Sequence, residues 1–404
     1  MNYNPLFKQL NLRNIVLKNR IIRSATYEGW GDPTGVPQPG LGDLYATLAR
    51  GGVGALITGF VYVSAEGRAM QKRQCAMDRD AMIEPWRQIV GRAKEAAADL
   101  KIFMQLAHTG RQTRREITGR EVLGVSSKKC SYFRQSVRPL DTREISRIID
   151  DFAQAARRAQ QAGFDGIQIH AAHGYLIHQF LSPLTNRRRD EWADRPLFLE
   201  QIVKHIRGHC GSGFPVLVKL SAMEDTECGI RLSDTIQTIE RLKPLQVDAW
   251  EISYGTMEYA LNIIRGALPW DTAFEINPLL SGIPKWLRTV WKKCFMRQYV
   301  KRIMPFSEGY NIPSAAEIKR RTGETVLAVG GLHSASVMRD SLTLHGLDAV
   351  CICRPLICEP DFPEKIRLKS SNQSACTKCN LCLIHCDGTT PLRCYGTSVR
   401  KHGD

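Results

Sequence analysis

Long apolar runs are absent from this chain of 404 residues. No stretch approaches the ~18 uninterrupted apolar residues that a membrane-spanning helix needs. The first residues, MNYNPLFKQLNL, also lack the basic segment followed by an apolar one that marks a secretory signal. We therefore expect a cytoplasmic protein. Because 43% of the residues are apolar and 24% are charged, the composition excludes a disordered chain.

An even set of cysteines is also missing, because the chain has thirteen. An odd number in a chain without a secretory signal argues against a disulfide framework. Eight of them are scattered, and five lie within nineteen residues: Cys376, Cys379, Cys382, Cys386 and Cys394. Such a cluster is typical of a metal site.

Acidic residues are missing from residues 284–305, which hold seven Lys or Arg. Together with residues 365–404, this segment supplies twelve of the sixteen net positive charges. Such a surplus raises nucleic acid, an anionic membrane or an anionic cofactor as partners. Because no nucleic-acid-binding motif accompanies the charge, we expect no nucleic acid partner.

Eight short apolar segments alternate with helical segments along the chain. Each is a nearly continuous apolar run, which is typical of parallel strands covered on both faces. The predicted strands are residues 20–26, 53–61, 101–107, 165–171, 215–221, 248–253, 325–330 and 348–353. The predicted helices are residues 84–98, 144–162, 197–208, 233–242, 313–321 and 335–344. Eight alternating units predict an α/β protein with a (β/α)8 TIM barrel fold.

Three helices begin with capping signals, at Thr142, at Ser233 with Asp234, and at Ser334. These signals support the positions of the helices between the predicted strands.

One barrel domain is expected over residues 1–368, followed by a short Cys-rich tail over residues 369–404. Two insertions interrupt the alternation, at about residues 108–141 and 254–312. Each follows a strand, and the loops that follow barrel strands form the catalytic face. We therefore expect both insertions, including the basic helical segment 284–305, beside the active site.

His170, His173 and Tyr175 follow the fourth predicted strand. Two imidazole N–H groups can hold a carbonyl or another anionic oxygen, and a phenol beside them can deliver a proton. Taken singly, each residue is explained equally well as a core or capping residue. The functional interpretation depends on the three occurring together.

The same segment, HAAHGYLIHQFLSPLTN, resembles the Old Yellow Enzyme family of FMN-dependent NADH:flavin oxidoreductases. The resemblance covers about residues 4–368. It also includes LKNRIIRSAT at the first strand, QLAHTGRQ at the third, AVGGL at the seventh and CRPLICEPDFP at the eighth. These motifs occur in the family's order at the expected strand ends.

The resemblance implies an FMN site. Gln105 would bond the pyrimidine edge of the flavin, and Gly330, Gly331 and Arg354 would hold the phosphate. Backbone N–H groups at glycine and the fork of arginine both suit an anion. The full set expected to bind FMN is Ser24, Ala25, Thr26, Tyr27, Gly59, Phe60, Gln105, Lys219, Gly330, Gly331, Cys353 and Arg354.

Two of these positions depart from the family's pattern. Lys219 stands where the family usually has an arginine beside flavin N1 and the C2 carbonyl, so it offers a point charge without the planar fork. Cys353 stands where glycine commonly precedes the phosphate arginine. We expect its added side chain to crowd the phosphate.

The reaction that the resemblance implies has two halves: NADH or NADPH reduces FMN, and an electron-poor alkene then binds in the same place. His170 and His173 would hold its activating carbonyl, reduced FMN would pass hydride from N5 to the β-carbon, and Tyr175 would protonate the α-carbon. Two alternatives stay open. One is oxidative demethylation or amine dehydrogenation on the same fold, and the other is an FMN and iron–sulfur redox sensor or electron carrier without enone turnover.

The tail, CTKCNLCLIHCDGTTPLRC, resembles the iron–sulfur segment of longer relatives, the 2,4-dienoyl-CoA reductases and trimethylamine dehydrogenases. Cys376, Cys379, Cys382 and Cys394 reproduce that spacing, except that the middle gap has two residues instead of three. With Cys386 as the fourth ligand, the run instead matches a ferredoxin-type spacing. A 4Fe–4S cluster, zinc and reduced thiols all remain open. If the tail holds a cluster, we expect a separate protein to supply its electrons.

Apolar residues recur at steps of three or four within residues 284–305 and form a stripe beside a basic face. The stripe consists of Leu287, Val290, Trp291, Cys294, Phe295, Tyr299 and Ile303. The pattern allows a helix packed over the active site, a helix in peripheral contact with a membrane surface, or a docking site for an acidic partner.

Overall fold

The computed structural model describes residues 4–296 and 300–396. Eight parallel strands close into a barrel, each hydrogen-bonded to its neighbours in chain order, with β8 against β1. The strands are Ile21–Arg23 (β1), Ala55–Tyr62 (β2), Lys101–Ala107 (β3), Gly166–Ala171 (β4), Val216–Ser221 (β5), Ala249–Ser253 (β6), Val326–Val329 (β7) and Ala349–Ile352 (β8). The predicted TIM barrel is therefore confirmed, with every predicted strand in place.

Over residues 4–296 and 300–396, seven helices on the outside of the barrel connect successive strands, and an eighth follows the last strand. They are Pro39–Arg50 (α1), Ile83–Ala96 (α2), Thr142–Gln161 (α3), Leu197–Cys210 (α4), Leu232–Leu242 (α5), Ile312–Thr322 (α6), Ala335–Thr343 (α7) and Phe362–Arg367 (α8). The six predicted helices agree with α2 to α7 to within two residues at each end. The sequence of α1 is a weak helix signal because it begins PGLG, and glycine disfavours helix.

The helix caps agree only in part with the prediction. Ser334 caps α7 as expected, since its side chain accepts a hydrogen bond from the backbone of the first turn. The prediction for Thr142 is wrong by one residue, because the carboxylate of Asp141 forms the capping box of α3. Ser233 is not a cap either and lies within α5, where the carboxylate of Asp234 accepts the N–H of Arg231.

The barrel interior is filled by inward-facing strand residues, with a short hairpin, Leu10–Leu12 and Ile15–Leu17, closing the N-terminal end. Ile57 and Phe103 are typical of this inner layer and are almost completely buried. Because this end is plugged, ligands reach the barrel only from the carboxyl ends of the strands.

The second insertion contains short helices, Ala260–Ile264, Trp270–Ile276 and Lys285–Trp291, and then a π-helical turn, Lys292–Met296. The single helix predicted over 284–305 is therefore wrong in its length.

The stripe of that segment is only partly buried. Trp291 packs edge-on against Phe274 with ring centroids 5.5 Å apart, whereas Val290 is 54% exposed. Tyr299 lies outside the described residues. Within the described ranges, no helix is long and apolar enough to cross a membrane.

Candidate active site

A cavity of about 1010 Å³ opens at the carboxyl ends of the barrel strands, bounded by strand ends, the second insertion and the tail. His170, His173 and Tyr175 line it together, and so do all the residues expected to bind FMN except Gly59. Gly59 packs behind Phe60, where an added Cβ would collide with the Glu28 carboxylate. This glycine is therefore explained by packing.

The two histidines reach the cavity from the end of β4. The Nδ1 atom of His170 accepts the N–H of Ala172 at 3.3 Å, so Nε2 carries the proton and can donate to a ligand. The Nε2 atom of His173 lies 2.7 Å from the Ser253 hydroxyl at the end of β6. Burial, with a further contribution from Lys219, lowers the pKa of both imidazoles well below the usual value, so both are neutral at pH 7.

Tyr175 stands at the N-terminus of a short helix, Leu176–Leu181, and is 6% exposed. Its ring centroid lies 4.6 Å from that of His170 and 5.7 Å from that of Phe60. Burial, and then the charge of Asp387, raises the pKa of the phenol. The hydroxyl therefore holds its proton at neutral pH and can deliver it to a bound molecule.

A buried polar network forms the floor of the cavity. Lys219 donates to Glu251 at 3.0 Å and to Ser24 at 3.1 Å, and Ser24 donates to Glu251 at 2.6 Å. The other oxygen of Glu251 accepts from Gln168 at 2.6 Å, and Gln168 accepts from Gln105 at 2.7 Å. The Glu251 carboxylate thus holds Ser24 and Lys219, and the Gln168 amide holds Gln105. All three of the residues held in this way are expected to bind FMN.

Glu251 and Gln168 were not identified as candidate functional residues from the sequence. Each lies inside a predicted apolar strand, DAWEIS and DGIQIHA, and a buried carboxylate or amide in such a strand needs a partner. That requirement is the signal that could have revealed them.

Gly330 and Gly331 form a cradle at the end of β7 with φ angles of +128° and +72°. A Cβ on Gly330 would lie 2.8 Å from the Tyr310 ring, so only glycine fits there. Next to the cradle, the Nδ1 atom of His333 is buried without a hydrogen-bond partner among the described residues. Sequence analysis did not single out this histidine.

Arg354 lies at the end of β8, where one guanidinium nitrogen donates to the Arg265 carbonyl and to the Asn380 side-chain oxygen, both at 2.7 Å. The arginine is therefore joined to the second insertion and to the tail. The Cys353 sulfur lies 2.9 Å from the Thr26 hydroxyl.

The tail cysteines occupy two different places. Four of them line a small second cavity of about 20 Å³, together with a barrel cysteine that the sequence pattern did not indicate: Cys358, Cys376, Cys379, Cys382 and Cys394. Cys386 lines only the large cavity, with its sulfur 3.7 Å from the Tyr27 carbonyl, whereas Cys382 lines both cavities. In the part of the chain that the structure describes, no group of three or more His, Cys, Asp or Glu residues is arranged to hold a metal ion.

The carboxylate of Asp387 projects from the tail into the large cavity. It accepts hydrogen bonds from Gln71 at 3.1 Å and Asn277 at 2.7 Å, and Asn277 also donates to the Tyr132 hydroxyl at 3.2 Å. Burial raises the pKa of Asp387 to about 6. Because its partners are neutral amides, this carboxylate retains acceptor capacity toward the cavity.

Comparison with known sequences identifies relatives along most of the chain. The NADH:flavin oxidoreductase / NADH oxidase family matches residues 5–299. An NADH oxidase of Thermoanaerobacter brockii is 30% identical over 388 residues; the match covers 95% of this chain but only 53% of that protein. An NADPH dehydrogenase of Bacillus subtilis (strain 168) is 33% identical over 273 residues, which cover 65% of this chain and 77% of that one.

Solved structures agree in fold. An Old Yellow Enzyme homologue from Zymomonas mobilis superposes with a TM-score of 0.70 at 23% identity and covers 91% of this chain and 94% of its own. Histamine dehydrogenase from Rhizobium sp. 4-9 superposes with a TM-score of 0.73 at 22% identity. The match covers 91% of this chain and 48% of that protein's chain. With the family's sequence match extending over most of the barrel, the chain belongs to the NADH:flavin oxidoreductase / NADH oxidase family of FMN-dependent oxidoreductases.

Proposed function

We propose that this protein uses NAD(P)H and FMN to reduce a carbon–carbon double bond conjugated to a carbonyl group. The observation that carries the proposal is the convergence of His170, His173 and Tyr175 on one cavity, with neutral imidazoles and a protonated phenol. Neutral donors suit a carbonyl oxygen that gains negative charge, and a protonated phenol suits a carbon that needs a proton.

The residues present fit FMN. The cradle at Gly330 and Gly331 has no room for a Cβ, and Arg354 lies beside it in the same cavity. At the floor, Lys219 and Gln105 offer a cation and an amide to the pyrimidine end of a flavin. When bound, FMN supplies hydride transfer between the nicotinamide and the substrate.

The side chains of the site have separate tasks in this proposal. His170 donates from Nε2 to the carbonyl oxygen of the substrate, and Ser253 holds the ring of His173 beside it. Tyr175 keeps a proton on its phenol oxygen for the α-carbon. Phe60, which packs against Tyr175, excludes water from the donor.

The variant Tyr175→Phe tests the proton-donor role. We expect anaerobic reduction of bound flavin by NAD(P)H to be unchanged and reoxidation by cyclohexenone to slow by about 10²- to 10⁴-fold. Tyr62→Phe, which removes a hydroxyl bonded to the Thr34 carbonyl outside the cavity, is the matched control. Equal loss in both half-reactions would contradict the role.

Oxidation of an amine is a second candidate, and Asp387 favours it. A carboxylate that faces an enclosed cavity with only amide partners is suited to an ammonium group. Anaerobic mixing with histamine or trimethylamine separates the two candidates. Bleaching of the flavin by an amine, with no turnover of cyclohexenone, would replace alkene reduction by amine oxidation.

We further propose that Cys376, Cys379, Cys382 and Cys394 hold a 4Fe–4S cluster that receives electrons from a separate donor protein. Their common cavity supports this ligand set over one that contains Cys386. The alternative occupant is a single zinc ion bound by four thiolates at about 2.3 Å.

Anaerobic purification followed by iron, sulfide and zinc analysis tests the cluster. We expect about four irons per chain, lost in Cys394→Ser and kept in Cys386→Ser. Stoichiometric zinc, or loss of iron only in Cys386→Ser, would contradict the ligand set. A cluster without any turnover of alkene or amine would indicate an electron carrier.

A further inference from the structure

The second insertion carries an unusual exposed surface, the basic apolar patch. It consists of Lys285, Trp286, Val290, Lys293, Val300, Lys301 and Met304, all exposed. Seven large hydrophobic side chains are strongly exposed among the described residues, and four of them belong to this patch. Trp286 is 78% exposed and Val290 is 54% exposed. Trp286 and Val290 lie one turn apart on the helix Lys285–Trp291 and therefore share a face. Surface hydrophobic residues are normally scattered singly, so such a pair beside exposed lysines indicates an interaction site.

The positive charges of the patch are not neutralised within the protein. Among the described residues, Lys285, Lys293 and Lys301 have no ion-pair partner, and residues 284–305 contain no acid. Lys292, which lies outside the patch, does have a partner, Asp271, at 2.7 Å. The free lysines are therefore available to an anionic surface.

The opposite face of the same segment already has a partner. Trp291 and Arg302 line the large cavity, and Arg288 donates to the Phe274 carbonyl at 3.2 Å. The interpretation as a packed lid therefore accounts for the inner face. It does not account for Trp286 and Val290, which point to solvent.

We propose that the basic apolar patch binds the surface of an anionic lipid bilayer. Tryptophan and short apolar side chains enter the boundary between headgroups and acyl chains, while lysines contact anionic headgroups. A protein partner is less suited, because lysine is depleted at protein interfaces, whereas lysines beside a tryptophan suit a membrane surface. The proposal is independent of the reaction that the cavity carries out.

Co-sedimentation of the full chain with lipid vesicles tests the proposal. We expect binding to vesicles of equal parts phosphatidylcholine and phosphatidylglycerol, and little binding to phosphatidylcholine alone. The double variant Lys285→Gln/Lys293→Gln should weaken the binding about 30-fold. Trp286→Ala should weaken it at constant charge.

Leu344→Ala is the matched control, because Leu344 is 75% exposed and lies at the end of α7 away from the cavity. It should bind vesicles like the parent chain, and thermal unfolding should show that each variant is folded. Absence of binding to the mixed vesicles, or equal binding by the double lysine variant, would overturn the proposal. So would binding to soluble polyglutamate as tight as binding to vesicles, which would indicate an acidic protein partner.

Discussion

The floor and the roof of the cavity are built in different ways. Each floor residue lies in a different barrel strand or, for Ser24, directly after one, and is at most 4% exposed: Ser24, Gln105, Gln168, Lys219 and Glu251. The roof, residues 254–296 and 300–304, contains short helices, and its outer side chains include exposed Trp286 and Val290. Barrel closure therefore fixes the buried floor, whereas the second insertion shapes the roof with helices that leave apolar side chains exposed.

The largest expected effect comes from breaking the floor. Glu251→Ala leaves the buried Lys219 ammonium without its carboxylate, and removing one partner of a buried ion pair costs about 3–5 kcal/mol. We expect a clear fall in the free energy of unfolding and loss of FMN from the purified protein. Denaturant unfolding and the flavin absorbance measure the two effects.

Replacing both members of that ion pair is the control. In Glu251→Gln/Lys219→Met neither charge of the pair stays buried. The free energy of unfolding should therefore return most of the way to that of the parent chain, while FMN binding remains weak. Equal destabilisation by the single and the double variant would show that the pair does not act as a unit.

A smaller effect is expected where Arg354, at the end of β8, meets the tail. Asn380→Ala removes the acceptor of one Arg354 hydrogen bond and the donor to the Ala267 carbonyl. A hydrogen bond to a charged group contributes about 1.5–3 kcal/mol, so FMN should bind about ten- to hundred-fold more weakly. Flavin fluorescence titration measures the dissociation constant. Asn14→Ala, on the hairpin at the opposite end of the barrel, should leave it unchanged.

Asp387 provides a test on the roof side. In Asp387→Asn the carboxylate charge is lost while the side chain keeps its size. We expect kcat/KM for a neutral enone to change by less than about three-fold, and any reaction with an amine to slow by about ten-fold or more. Stopped-flow reduction and reoxidation of the flavin measure both. A large loss with the enone would show that this carboxylate acts in alkene reduction itself.

The smallest effect is expected on the outer face of the roof. Val290→Ser changes an exposed side chain and should alter the free energy of unfolding by less than about 0.5 kcal/mol. The matched change in the barrel, Ile252→Val in β6, removes only one methyl group but should cost about 0.5–1.5 kcal/mol. The reverse order would contradict the difference in packing between roof and barrel.

The barrel strands and the three side chains that follow β4 could be predicted because their signals are local. Apolar runs mark β1 to β8, and His170, His173 and Tyr175 lie within six residues of one another at a single strand end. The motifs that contain Gly330 and Arg354, AVGGL and CRPLICEPDFP, are equally local because each is one short contiguous segment at a strand end. Such features follow from short-range backbone preferences and from burial patterns.

The partners within the site could not be predicted because they are distant along the chain. Ser24 and Glu251 are 227 residues apart, and Asn277 and Asp387 are 110 apart, yet each pair shares a hydrogen bond. No periodicity encodes which side chains meet at a barrel mouth.

The sequence by itself therefore determined the barrel, the grouping of His170, His173 and Tyr175 at one strand end, and the presence of a cysteine cluster, because burial patterns and short motifs carry that information. The tertiary structure decided which cysteines share a cavity, that Glu251 supports Lys219, and that Asp387 enters the active site. The physical reason is that a buried charge or thiol is satisfied by whatever group the closed barrel brings within hydrogen-bond distance, regardless of its place in the chain.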